Sequence, residues 1–222
     1  MPPNANSANI EVKICGLASP ESVDVAVEGG ARYVGFVFYP PSPRNLKPAE
    51  ARSLTERVPL GVHRVALFVN PSDTDIDRVF AQNQFDMIQL HGAETPERTN
   101  NIRARTGTKV MKVIKLAARA DLAAAAAYQG AADQLLFDAM APKDRTDALP
   151  GGNALAFDWT LLAGAEMALP WMLAGGLTAE NLAQAVASSG ASQVDVSSGV
   201  EDAPGVKSPD KIRAFLAAAA AI

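Results

Sequence analysis

Lys13-Ile14-Cys15-Gly16 holds the only cysteine of a 222-residue chain, on a short β-branched run that reads as a strand. Alternate residues of a strand face one side, so the ammonium of Lys13 and the thiol of Cys15 stand together. A cation beside a thiol favours the thiolate, the form that accepts protons and attacks carbon. Two plainer readings stay open: a lone cysteine also serves as a small buried hydrophobe, and Lys13 can close a salt bridge inside the fold. Asp138 ends a second apolar run, where it either caps the following turn or offers a carboxyl to a site. Gln89 and His91 share a face of Gln89-Leu90-His91-Gly92, and His91 reads equally as a structural histidine, so it stays outside the catalytic set.

The elements that must position these groups alternate along the chain. Strands are expected at 11–15, 33–38, 62–68, 87–90, 109–114, 134–138, 171–174 and 193–196. Helices are expected at 20–28, 48–57, 72–82, 96–105, 119–128, near 159–162, at 179–188 and at 209–221. Ser19-Pro20 supplies an N-cap and a first-turn proline for the first helix. The Ala-rich pieces 123–127 and 217–221 belong to helices by propensity. Eight strands, each followed by a helix, predict an α/β fold: a single-domain (β/α)8 TIM barrel over residues 10–222, with residues 1–9 a flexible tail. An open doubly wound sheet is the runner-up, but it would place its glycine-rich loop after the first strand, and here the glycines cluster late.

Composition narrows the function classes. The formal net charge is −4 with scattered basic residues, which argues against nucleic acid and against an anionic membrane surface as partners. One cysteine and two histidines provide no zinc-ligand cluster and no disulfide framework. No secretory start and no bilayer-length apolar run is present, so a cytoplasmic location is expected.

In such a barrel the strand ends and the loops after them carry ligand chemistry. Gly175, Gly176, Ser198 and Gly199 fall in the loops after strands seven and eight, where backbone N–H groups can approach a phosphate closely. Asp195 shares a strand face with Gln193 and Ser197 and points towards the mouth, to meet hydroxyl groups or to order the eighth loop. Arg44, behind Tyr39-Pro40-Pro41-Ser42-Pro43, offers a planar fork to a carboxylate. The stretch 139–153, with Asp144, Arg145 and Asp147, is a candidate lid.

Taken in order, Lys13-Ile14-Cys15-Gly16, Gly35-Phe36-Val37-Phe38, Ser42-Pro43-Arg44, Gln89-Leu90-His91-Gly92, Phe137-Asp138 and Asp195-Val196-Ser197-Ser198-Gly199-Val200-Glu201 resemble phosphoribosylanthranilate isomerase of tryptophan biosynthesis. One departure lies at Gly151-Gly152-Asn153-Ala154, where that family more often follows the glycine pair with Ser or Thr and another Gly. The resemblance implies an Amadori rearrangement of N-(5-phosphoribosyl)anthranilate, with Cys15 as general base, Asp138 as general acid and no metal or cofactor. It implies a phosphosugar-anthranilate substrate held by Lys13, Arg44, Gln89 and Asp195, with the phosphate on Gly175, Gly176, Ser198 and Gly199. Association with other enzymes of the pathway is left open. For these roles the Asp138 carboxyl must titrate above its usual ~3.9 and the Cys15 thiol below its usual ~8.5, with Lys13 as the helping cation. Indole-glycerol phosphate synthase would want a catalytic lysine and glutamate set and a segment ahead of the first strand; a non-catalytic barrel would be expected to lose one of the two proton-transfer groups.

Overall fold

The computed structural model describes residues 10–140, 151 and 158–222. The tail and most of the candidate lid 139–153, with Asp144, Arg145 and Asp147, lie outside them, as does most of the stretch that departs from the family pattern. Eight parallel strands close into a barrel: β1 (Glu11–Cys15), β2 (Tyr33–Phe38), β3 (His63–Phe68), β4 (Met87–Leu90), β5 (Lys109–Leu116), β6 (Gln134–Ala139), β7 (Trp171–Leu173) and β8 (Gln193–Val196). Their order round the ring is their order in the chain, and β8 pairs with β1 to seal it. The (β/α)8 architecture is therefore the one the alternation of elements predicts.

Strand parity builds two layers. Val12 and Ile14 of β1, Phe36 of β2, Ile88 and Leu90 of β4 and Phe137 of β6 pack outward under the helices. Tyr33, Val65, Met87, Met111, Val113, Leu136 and Met172, on the opposite parity, fill the barrel interior. A pleated strand can serve both layers because successive side chains leave on opposite faces. The same parity aims Lys13, Cys15, Gln89, Asp138 and Asp195 inward.

The outer helices are α1 (Pro20–Glu28), α2 (Pro48–Thr55), α3 (Asp73–Phe80), α4 (Pro96–Thr106), α5 (Ala123–Ala126), α6 (Leu182–Ser189) and α7 (Pro209–Ala220). Ser19 caps α1 by accepting the Ser22 N–H at 3.2 Å, with Pro20 in the first turn. Two segments differ from expectation. Residues 119–128 form a 3-10 turn (Arg119–Leu122) and only four α-helical residues, of which Ala125 alone is buried. Alanine propensity without an apolar face does not sustain a longer helix. The helix expected from residue 179 starts at Leu182, because the Asn181 side chain accepts the Thr178 N–H and donates to the Gly176 carbonyl, holding the chain in a turn first. Beyond β8, a 3-10 turn (Ser198–Val200) leads into a small antiparallel hairpin, β9 (Glu201–Ala203) and β10 (Val206–Lys207). No helix among the described residues is long and apolar enough to cross a membrane.

Candidate active site

The seam between β1 and β8 sets the first half of the site. Their parallel register places Lys13 opposite Asp195, and the two side chains bond at 2.7 Å with Lys13 wholly buried. Cys15 lies one pleat further on, opposite Gly35 of β2. A Cβ at Gly35 would stand 3.0 Å from the Cys15 sulfur and 3.2 Å from Lys13 Nζ, so the glycine leaves the space that thiol and ammonium share. Burial works against the Lys13 charge, but Asp195 and Cys15 together outweigh it and hold its pKa above the ordinary lysine value. Cys15 departs from expectation: burial pushes its pKa up, and the neighbouring Lys13 ammonium, a further pull from Lys207 notwithstanding, only partly offsets this. Asp195 adds to the upward push. A helpful cation is present, but in a dry setting it does not bring the thiol below its usual range.

Asp138, at the end of β6, accepts the Ala139 N–H on Oδ1 at 2.9 Å and meets His91 Nε2 with Oδ2 at 3.2 Å. Gln89 Nε2 lies 3.4 Å from His91 Nδ1, so Gln89, His91 and Asp138 form a row of polar groups across the pocket wall. Which nitrogen of the His91 ring carries the hydrogen decides which group donates in each of these two contacts. A Cβ at Gly151 would fall 2.5 Å from the His91 ring, and one at Gly175 would fall 3.2 Å from Asp138 Oδ1. Two glycines thus close down on the pair. Sequence reasoning left His91 undecided because its partner lies 47 residues away on another strand.

These groups line one open-mouthed cavity. Cys15, Gln89, Asp138 and Asp195 stand on its wall, as do Gly175, Gly176, Ser198 and Gly199. Gly175 and Gly176 have φ of 88° and 65°, a backbone form open to glycine at little strain. Arg44 lines the mouth and is buried; its Nε and Nη2 each donate at 2.7 Å to the two carboxylate oxygens of Glu201. Lys13 is not among the lining residues and lies behind Asp195 and Cys15. Lys207 Nζ donates to Glu201 Oε1 at 2.7 Å and to the Ser197 carbonyl at 2.8 Å. Neither Glu201 nor Lys207 has a role legible in the sequence, although Pro204-Gly205 is a turn signal that would bring them together across a hairpin.

A sequence profile described as N-(5'phosphoribosyl)anthranilate (PRA) isomerase matches residues 12–218. The chain belongs to this family. The isomerase of Rhodospirillum centenum is 57% identical over 213 residues, covering 96% of this chain and 99% of that protein. That of Paramagnetospirillum magneticum is 56% identical over 95% of this chain and 97% of its own length. Among solved structures, phosphoribosyl anthranilate isomerase from Thermotoga maritima superposes with a TM-score of 0.84 at 35% identity, covering 96% of this chain and all of that one. A structure of phosphoribosyl anthranilate isomerase with reduced 1-(o-carboxyphenylamino)-1-deoxyribulose 5-phosphate superposes with a TM-score of 0.82 at 34% identity and the same coverage. The isomerase family and its place in tryptophan biosynthesis, expected from the ordered motifs, are thereby established for this chain.

Proposed function

We propose that this isomerase converts N-(5-phosphoribosyl)anthranilate to 1-(2-carboxyphenylamino)-1-deoxyribulose 5-phosphate with Asp138 as general acid and Cys15 as general base. The observation that carries the assignment is that the one thiol and the strand-six carboxyl, 123 residues apart in sequence by number, face the same cavity from β1 and β6. Asp138 gives a proton to the ribose ring oxygen, the C1–O bond breaks, and the nitrogen lone pair forms the C1=N bond of an iminium. The Cys15 thiolate then removes the proton from C2, and its electrons form the enolamine C1=C2 bond while nitrogen recovers its pair. Tautomerisation to the ketone moves the 2-hydroxyl proton away and adds one at C1, so no atom is gained or lost overall.

Lys13, though off the cavity wall, favours the charged form of Cys15 and holds Asp195 by its 2.7 Å bond. Asp195 receives sugar hydroxyls, and Gln89 orients His91, whose Nε2 lies 3.2 Å from Asp138 and fixes the position of that carboxyl. The glycine-rich turns at Gly175, Gly176, Ser198 and Gly199 present backbone N–H groups to the phosphate, and Arg44 faces the anthranilate carboxylate. A cytoplasmic setting fits a small phosphorylated substrate.

The test follows the loss of anthranilate fluorescence when freshly made phosphoribosylanthranilate is added. Wild type turns over; Cys15→Ala and Asp138→Asn fold, melt close to wild type and lose about 10²–10⁴-fold in kcat, the range for a positioned proton-transfer group. Near-wild-type rates in both variants would sink the acid and base assignment.

A further inference from the structure

Against Arg44 at the cavity mouth lies a carboxylate that the proton transfers above do not use. Glu201 is buried at the start of β9, yet its side chain is not on the cavity wall. Its two oxygens take both Arg44 bonds at 2.7 Å, the Lys207 ammonium at 2.7 Å and, more loosely, the Gly205 N–H at 3.3 Å. Lys207 passes the connection on, donating to the Ser197 carbonyl at 2.8 Å and its hydroxyl at 3.2 Å. Ser197 directly precedes the turn Ser198–Val200. A single carboxylate therefore joins the loop after β2 to the loop after β8.

A hairpin staple would explain the Lys207 bond, whose partners are six residues apart. It would not explain the two-pronged bond to Arg44, which comes from 157 residues away in the chain. Burial raises the cost of charge on Glu201, but the Arg44 bond and the Lys207 charge outweigh it, so its carboxyl titrates below the usual range and stays ionised. Side-chain exposures of 6% for Arg44 and 2% for Lys207 mark both cations as largely withdrawn from bulk water.

We propose that Glu201 is a positioning residue that couples the two anion-binding ends of the cavity: it aims Arg44 at a carboxylate and, through Lys207 and Ser197, sets the turn that receives a phosphate. This rests on the reading that the substrate carries an anion at each end. Glu201→Gln keeps the shape, but an amide offers Arg44 one acceptor oxygen and turns N–H against N–H at the other, so both ends loosen together. Lys207→Met keeps the Arg44 pair and removes the branch to Ser197 together with the Lys207 bond to Glu201 and its pull on Cys15, so it is read by probe binding and not by turnover.

The experiment measures calorimetric binding of two probes, inorganic phosphate and anthranilate, to the full chain, alongside kcat and KM. Glu201→Gln is expected to weaken both probes about ten- to hundredfold, the loss of one hydrogen bond to a charged group. It should raise KM to a similar extent while kcat stays within about threefold of wild type. Lys207→Met is expected to weaken phosphate by the same factor and anthranilate less than twofold. A Glu201→Gln protein that weakens only one probe, or that lowers kcat at unchanged KM, overturns the coupling. Should that variant not fold, Glu201→Asp keeps the charge on a shorter arm, and tight wild-type binding of both probes would overturn it equally. Binding needs no turnover, so wild type that holds both probes yet leaves phosphoribosylanthranilate unchanged would sink the reaction assigned above and not the coupling.

Discussion

Two buried lysines, Lys13 on β1 and Lys112 on β5, invite comparison because each closes a short ion pair inside the protein. Lys13 meets Asp195 at 2.7 Å and Lys112 meets Glu94 at 2.6 Å. Parity separates them. Lys13 shares the inward face of its strand with Cys15, whereas Lys112 lies between Met111 and Val113 of the interior and so leaves on the outer face with Val110 and Ile114. There the backbone absorbs it: Lys112 also donates to the Gly92 carbonyl at 2.8 Å, and Glu94 accepts the N–H groups of Asn70 at 2.6 Å and Gly92 at 3.0 Å. Burial leaves the Lys112 pKa below its ordinary value, Glu94 offsetting only part of the effect, while Lys13 is held above its own. One pair keeps a charge next to the Cys15 thiol; the other ties the loop after β3 to the loop after β4, just behind His91. Similar chemistry does different jobs because of what else each carboxylate touches.

The largest expected effect tests the inward pair. Lys13→Met removes the influence that pulls the Cys15 pKa down, so a thiol already raised by burial rises further. Each unit of rise cuts the thiolate near neutral pH about tenfold. A fall of about 10–10²-fold in kcat/KM at neutral pH is expected, recovering as the pH is raised, with the alkaline rise of the pH–rate profile moved upward. A profile whose rise coincides with wild type would remove the distinction between the two lysines.

Lys112→Met should act on the other quantity. Leaving Glu94 buried without its cation costs about 3–5 kcal/mol, read as a lower denaturant midpoint. In the protein that remains folded, the midpoint of the alkaline rise should match wild type. An upward shift as large as that of Lys13→Met would show that Lys112 too acts on the thiol. The smallest effect is that of Tyr128→Phe. Its hydroxyl donates to the Glu94 carbonyl at 2.8 Å, and losing that bond should cost about 1 kcal/mol with kcat unchanged.

The sequence carried the barrel because strand and helix periods alternate cleanly and because Ser19-Pro20, Lys47-Pro48, Thr95-Pro96 and Ser208-Pro209 mark where α1, α2, α4 and α7 begin. It carried the juxtaposition of Lys13 with Cys15 because that depends only on a two-residue spacing. The partners that convert residues into a site depend on register between distant strands, which spacing along one segment does not contain. Asp195 opposite Lys13, His91 beside Asp138 and Glu201 against Arg44 all belong to this class. The direction of the Cys15 shift eluded the sequence for a related reason: adjacency names the cation, but the degree of burial decides whether it prevails. The Ala-rich stretch failed differently, since propensity speaks of the backbone alone and not of what a helix would have to cover.

The bond between Lys13 and Asp195 joins residues 182 positions apart across the seam that seals the ring. Until β8 docks against β1, a growing or refolding chain has its thiol and the adjacent ammonium but not the carboxylate that fixes the latter in place. Competence therefore arrives with the last strand, and the onset of turnover during refolding reports the moment the circle is completed.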